Sequence, residues 1–495
     1  MSTALPNLPN TADPAPAKPG PVSTSPAWRL RREFNAERKR SMPYPAGDLS
    51  YSLARTRGFA TNPLPILLDG YERFGPIFTM RVMSVPVVFM IGPAANHFVL
   101  VSDAENFSWR DGSLGDLIPL LGDGLLTTDG QYHRRARMAM VPAFHKTRIA
   151  RAGEVMVEEV QSAVSGLTEG QRVDIYEWTR SLALRIAMRA LFGFDPDGGE
   201  RDAGHDFEQA LGYYSRDYFV QMLRGPGSPF DRLTKASSRL DVLIQTAITT
   251  RRSNASAADE QSSDLLGMLL GTSDEDGNPL TDREIRDQAM TLLFAGHDTT
   301  TSTVAFLLFE LARNPHELKA LFDEQDEVLR GRPATPADLT GTALPRLEMA
   351  IEETLRIYPP AWVGPRRAIN DFEFNGIKVP GGVPVNYSSW VSHHLPDVWP
   401  EPEAFRPERF SLDAKKLIPK GAYIPFGSGS RTCIGMRFGQ MEIRAIITEL
   451  LRNFRLESAA GYQLSIRQMP TLTPRHGMPM TVKPRGLAPT VSEPL

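Results

Sequence analysis

The chain has 495 residues, and 55 Lys+Arg against 58 Asp+Glu give a formal net charge of −3. That balance excludes a protein that coats nucleic acid through bulk positive charge. Its single cysteine excludes an intramolecular disulfide and any zinc site built from several cysteines.

Residues 1–27 carry Pro6, Pro9, Pro14, Pro16, Pro19, Pro21 and Pro26 among small residues, which predicts a disordered tail. Trp28–Arg40 holds Arg29, Arg31, Arg32, Arg38, Lys39 and Arg40. Two readings stand for it, a solvated helix face or a membrane-surface contact. No run of about 18 apolar residues follows. The nearest, Val85–Val101, is broken by Gly92, Pro93, Asn96 and His97. β-Branched runs on either side of Ser84 predict an antiparallel hairpin over Phe74–Ile91. Helical patterns cover Ala150–Leu167, Trp178–Leu191 and Leu240–Arg252, with polar loops at Arg251–Asp264 and Ser273–Pro279. Strand signals return at Phe372–Val379 and near the C-terminus, and Gly486–Leu495 reads as a loose tail. The pattern predicts one large, mainly α domain with small β-sheets over 28–485.

Thr281-Asp282-Arg283-Glu284 is a capping box that opens a helical pattern running to Asn314-Pro315. At 1.5 Å per residue, about 32 residues span roughly 48 Å, enough to cross a whole domain. Ala295-Gly296-His297-Asp298-Thr299-Thr300-Thr301 places glycine, an acid and hydroxyls in its interior. Gly296 alone costs about 1 kcal/mol relative to Ala. Either the stretch is merely tolerated, or its small residues let a flat ligand approach and its hydroxyls open the backbone ladder to water. Leu292, Ala295, Gly296, Thr299 and Thr303 share one face. His297 reads as a satisfied structural histidine.

Phe426–Gly435 reads Phe-Gly-Ser-Gly-Ser-Arg-Thr-Cys-Ile-Gly and feeds a helical pattern. Free amides and the positive end of the helix dipole favour a thiolate at Cys433. A thiolate is a soft ligand for iron, zinc or copper, whereas a lone buried cysteine is otherwise a small hydrophobe. Phe426, Gly429, Arg431, Cys433 and Gly435 fit Phe-x-x-Gly-x-Arg-x-Cys-x-Gly at every fixed position. With this motif the chain resembles the cytochrome P450 family. Ala295, Gly296, Asp298, Thr299 and Thr300 are similar to that family's mid-helix motif, and His133 with Arg137 to its Trp/His-x-x-x-Arg helix. Glu353-Thr354-Leu355-Arg356 with Pro407-Glu408-Arg409-Phe410 is similar to its Glu-x-x-Arg and Pro-x-Arg-Phe pair. The resemblance covers about residues 45–485 in the family's order.

The resemblance implies the family's triangular, mostly α fold and a haem b (iron protoporphyrin IX) bound through Cys433. It implies that Asp298 and Thr299 relay protons, and that Ala295 and Phe426 lie against the cofactor. His133, Arg137, Arg366 and Arg431 would hold the propionates, with Arg367 competing with Arg366 by one position. Glu353, Arg356 and Arg409 would form a structural charge network. The implied activity inserts one oxygen atom of O2 into a C–H or C=C bond of a lipophilic small molecule such as a fatty acid, terpenoid or steroid. No Gly-x-Gly-x-x-Gly fingerprint is present, so electrons are expected from a ferredoxin or flavodoxin-type donor with its reductase. That donor would dock on Arg134, Arg135, Lys415, Lys416, Lys420 and Arg437. A peroxide-driven peroxygenase and a haem sensor or carrier are the alternatives. The Asp298-Thr299 pair speaks against the first, and its retention beside the cysteine loop against the second. The implied pocket is lined by Trp109–Leu121, Phe207–Leu223, Leu292–Thr299, Ala361–Gly364 and Leu472–Met478, with Trp362 among the apolar residues. Tyr213, Tyr214, Arg216 and Tyr218 either anchor a polar end or face water. Membrane-bound members carry an N-terminal anchor helix; none is visible, so a soluble, cytoplasmic form is expected.

Overall fold

The computed structural model describes residues 19–20, 25–82, 84–194, 201–214, 216, 218–253, 264–273 and 277–486. The expected tails over 1–18, 21–24 and 487–495 lie outside the described residues, as do 254–263 and 274–276 of the expected polar loops. The first helix, α1 (Pro26–Lys39), begins inside the segment expected to be unstructured. Pro26 fits there because the first helical position needs no N–H and wants its fixed φ.

The helices that build the domain are α2 (Gly130–Met140), α3 (Lys146–Ser165), α4 (Ile175–Phe192), α5 (Arg201–Tyr214), α6 (Pro229–Ser253), α7 (Asp282–Arg313), α8 (Pro345–Ile357) and α9 (Met436–Asn453). Helix α7 is the axis. Its capping box forms in full, with both Thr281 and Glu284 bonded as expected. Nearly all of it from Ile285 to Leu311 is buried, with packing partners on α4, α6, α8 and α9. Phe306 of α7 stacks on Tyr358 with ring centroids 4.4 Å apart. Each such side chain taken fully from water contributes about 1.5–3 kcal/mol.

Among the described residues the largest sheet has six strands: β1 (Gly47–Asp48), β2 (Ile77–Val82), β3 (Val85–Met90), β4 (Phe107–Ser108), β5 (Gly364–Ala368) and β6 (Pro384–Tyr387). Their spatial order is β1-β2-β3-β6-β5-β4. The expected hairpin is β2–β3, pairing Ile77 with Met90. Strand β5 runs antiparallel to β6, with Arg366 opposite Val385. Side chains alternate faces along a strand, so Arg366 turns inward and Arg367 outward.

Behind the sheet, Arg356 is fully buried. It binds both Glu353 oxygens, at 2.7 and 2.9 Å, and the carbonyls of His393 and Pro402. Glu353 also accepts from Arg409 Nε at 3.2 Å and from the Arg406 amide at 2.9 Å. This network ties α8 to the segment leading toward the cysteine loop. Among the described residues no helix is long and apolar enough to cross a membrane.

Candidate active site

The loop before α9 is shaped by glycine. Gly427 and Gly429 take φ of +69° and +65°, and a Cβ on Gly429 would meet the Leu100 carbonyl oxygen at 2.4 Å. No other residue fits that approach. The turn closes with the Cys433 amide donating to the Phe426 carbonyl at 2.9 Å. Cys433 exposes surface, yet burial pushes its thiol above the ordinary value against the pull of the Gly435 amide and Arg137. Both facts hold for a sulfur that faces an internal hollow. The thiolate expected from the loop amides is therefore not favoured by the protein alone. Desolvation outweighs the amides, and a cation at the sulfur is what would shift the balance.

Helix α7 opens in the middle of its buried length. Ala295, Gly296 and Thr299 are half-buried while His297, Asp298 and Thr300 are closed off. A Cβ on Gly296 would meet nothing within 4 Å. The expected face narrows to these three, since Leu292 and Thr303 are packed in the core. The backbone ladder is not opened. Thr299 Oγ1 donates to Ala295 O at 2.8 Å, and Thr301, Ser302 and Thr303 each donate to the carbonyl four residues back. The hydroxyls satisfy their own helix instead of admitting water.

Asp298 is buried on the other side of α7, facing α4. Burial raises its carboxyl, but His297, Arg180 and Arg467 more than offset this and hold it below the ordinary value. His297 Nδ1 stands 3.2 Å and Arg180 Nε 3.7 Å from its Oδ1. Arg180 in turn lies 3.9 Å from Glu208 and 3.7 Å from Glu177, both partly exposed. His297 is not the satisfied histidine that was expected. Its Nδ1 has only the Asp298 carboxylate of the adjacent residue, its Nε2 is buried without a hydrogen-bond partner, and the ring meets Phe207 edge-on at 5.6 Å.

A cationic cluster flanks the hollow. Arg366 is buried with its guanidinium 3.5 Å from the Trp109 ring centroid, and Arg431 lies over the same ring at 4.9 Å. Arg431 Nη2 donates to Asp129 at 2.9 Å, and burial lowers this guanidinium to about 10. Arg137 interacts with both Arg431 and Cys433, and burial lowers it too. Arg431 and Arg366 thus share one carboxylate, Asp129, while Arg137 lies against Arg431 and Cys433. Arg366 Nη2 is buried with no hydrogen-bond partner. His133 does not add a charge. Burial, Arg431 and Arg137 push its imidazole down to about 3, so it remains neutral. Arg367 leaves this group and binds Glu33 and the Gly382 carbonyl.

These residues fit a haem. A flat group has room over Gly296, the Cys433 thiol is accessible to a ligand, and the surplus cations with an unfilled N–H suit a dianion's carboxylates. Three members were missed from sequence: Asp129, Trp109 as a cation platform, and Glu442. The Asp129 signal was its place as α2 N-cap, although its carboxylate turns instead to Arg431, Ser108 and the amides of 109 and 110. Glu442 of α9 is buried, accepts from Thr300 Oγ1 at 3.0 Å, and is raised to about 8 by burial. Other expected lining residues sit elsewhere. Leu120 and Leu121 are core. Trp362 is buried against Phe59 and Trp390, with its Nε1 on the Gln468 carbonyl. Tyr213 and Tyr214 are buried and do not face water; their hydroxyls donate to the carbonyls of Gln221 and Asp116. Arg216 is exposed; the Tyr218 side chain lies outside those described.

The family model described as Cytochrome P450 matches residues 58–479. Cyclooctatin synthase of Streptomyces melanosporofaciens is 33% identical over 84% of this chain and 90% of its own length. Cyclooctat-9-en-7-ol 5-monooxygenase of the same organism is 35% identical over 70% and 75%. The structure of retinoic acid-bound cyanobacterial CYP120A1 superposes with a TM-score of 0.79 at 27% identity, covering 90% of this chain and all of that one. A glycine-shaped cysteine loop, an open glycine on a domain-long helix, a surplus of buried guanidiniums, and a family match over most of the sequence converge on one statement: the chain belongs to the cytochrome P450 family and is a haem monooxygenase.

Proposed function

We propose that the hollow between Gly296 and Cys433 holds a haem b with the Cys433 thiolate on its iron. In this reading the holoprotein inserts one oxygen atom of O2 into a C–H or C=C bond of a lipophilic small molecule. When bound, the haem supplies O2 activation, and a thiolate ligand favours O–O cleavage. Arg137, Arg366 and Arg431 hold the propionates, and neutral His133 donates one N–H to them. Ala295 and Gly296 keep the distal face of the hollow clear, while Phe426 backs the cysteine loop. Because Thr299 Oγ1 donates to Ala295 O, it turns lone pairs toward the hollow. There it accepts a hydrogen bond and holds a proton-bearing partner in place. Asp298 is ionised and takes protons at Oδ1 from the Arg180–Glu208 side, where the helix approaches solvent.

A terpenoid, steroid or fatty acid is the substrate class that the resemblance supports. The structural relative carries retinoic acid and a sequence relative is named for an alkenol. The electron donor is a ferredoxin or flavodoxin with its reductase, which places the reaction in the cytoplasm. Arg134, Lys420 and Arg437 are exposed for its docking. Arg135 is turned to Glu284, Lys415 to Glu352 and Lys416 to Asp413, so half the expected docking set is already paired.

The observation that carries the reading is the buried, unpartnered Arg366 Nη2 inside a cluster of three guanidiniums beside Cys433. Cys433→Ser should abolish the red-shifted Soret band of the ferrous carbonyl complex. Survival of that band would overturn the ligand assignment. Turnover with a redoxin pair, but not with hydrogen peroxide alone, separates this reading from a peroxygenase or a carrier.

A further inference from the structure

Residues 28–57 carry eight basic side chains against three acidic ones in a chain whose net charge is −3. The fold sorts them. All three acids are occupied by arginines from elsewhere: Glu33 by Arg367, Glu37 by Arg81 and Asp48 by Arg73. The Glu33 and Glu37 pairs, with Arg29 on Asp116, clamp α1 to the domain by its inner face. The outer face is left with Arg31, Arg38, Lys39 and, beyond the helix, Arg57. None of these has a carboxylate within ion-pair distance among the described residues.

Large apolar groups stand among those cations. Trp28 is 48% exposed, Phe34 50%, Tyr51 65% and Leu53 90%. On α1 the exposed residues Trp28, Arg31, Phe34, Asn35 and Arg38 fall at helical spacing on one stripe. Tyr51 belongs to the same patch. The Arg81 that binds Glu37 also donates to the Leu49 carbonyl and lies 4.5 Å over the Tyr51 ring. A stable protein interface seats its aromatic anchors in desolvated pockets. Here Trp28 and Phe34 project beside the long side chains of Arg32 and Arg38, at 5.5 and 5.7 Å, and only Tyr51 rests on a pinned cation, Arg81. A fluid layer of headgroups accommodates that pattern, taking rings at its boundary and guanidiniums among its phosphates.

We propose that the outer face of α1, with Tyr51 and Leu53, docks this protein on an anionic lipid surface. The docking does not depend on how the haem site is read.

The test is flotation of the full-length holoprotein with vesicles of phosphatidylglycerol and phosphatidylcholine in equal parts, against pure phosphatidylcholine. Binding is expected to the mixed vesicles only, and to weaken as salt rises. Each Lys or Arg near such a surface contributes about 1 kcal/mol. Arg31→Gln, Arg38→Gln and Lys39→Gln together should therefore lower the partition coefficient on the order of 100-fold. Trp28→Ala with Phe34→Ala should weaken it further at high salt, where charge is screened. The ferrous carbonyl spectrum and the melting temperature serve as folding controls and should not change. No flotation of the wild type at low salt overturns the proposal, as does flotation unaffected by the triple substitution. A triple variant that still floats but is reduced more slowly by an acidic redoxin would assign the face to a protein partner instead.

Discussion

Replacing Glu442 by Gln removes a proton that the fold holds far from its usual range. Burial raises this carboxyl from 4.5 to about 8, and the Thr300 hydroxyl offsets only part of the rise. Between those values the folded protein keeps the proton and the unfolded chain has lost it. The sign follows: stability is greatest below about pH 4.5 and falls as pH rises, until the folded group also ionises near 8. Each pH unit in that window costs about 1.4 kcal/mol. Gln offers Thr300 the same kind of oxygen and does not titrate. The variant should therefore gain on the wild type steadily through the window. For a chain of this length, an unfolding entropy near 2 cal/mol/K per residue converts 1 kcal/mol to about 1 °C. Between about pH 5 and 7.5 the gap in melting temperature should open by roughly 3 °C in favour of Glu442→Gln. Differential scanning calorimetry of both holoproteins at matched ionic strength reads this directly. Parallel melting curves across the range would mean that Glu442 is already ionised, and that its burial has been misjudged.

Thr299→Ala should leave the carbonyl spectrum intact but divert reductant from product to peroxide. Asp298→Asn should slow turnover by about 10²-fold or more. Product and peroxide per reductant oxidised read both, and unchanged values in both variants would move the proton path elsewhere. Arg366→Leu should speed haem loss to a scavenger apoprotein by about 10–100-fold, the weight of one charge-assisted hydrogen bond; an unchanged loss rate would remove Arg366 from the propionate set. Arg356→Leu leaves Glu353 buried with too little positive charge and should destabilise the fold by about 3–5 kcal/mol. A melting point within error of the wild type would show that Arg409 and the Arg406 amide suffice.

What was legible in the sequence is what local spacing encodes. The capping box at Thr281, the proline after Asn314 and the glycines around Cys433 act within a few residues, so α7 and the cysteine loop could be placed directly. Arg366 and Arg367 could not be separated until strand pairing fixed which one faces inward. Asp129 joins Arg431 across 302 positions, and no periodicity announces such a pair. The hydroxyls at 299–303 were misread because composition does not say whether a side chain turns to its own carbonyl or to water. That Tyr213, Tyr214 and Trp362 spend their polar atoms on backbone carbonyls was hidden for a related reason. An amphipathic pattern marks burial but not whether the neighbour is protein or guest.

The adjacent arginines of β5 also bear on which insertions and deletions the chain can survive. One strand serves two addresses, the cluster behind Trp109 through Arg366 and the surface helix through Arg367 on Glu33. Deleting one residue ahead of Arg366 would bring Arg367 into the inner place and Ala368 into the outer one. The interior would keep its guanidinium while α1 lost its clasp. Inserting one residue would do the reverse, with Arg366 reaching Glu33 and Pro365 filling the interior. A length variant of this strand therefore keeps either its inner guanidinium or its clasp on the surface helix, but not both.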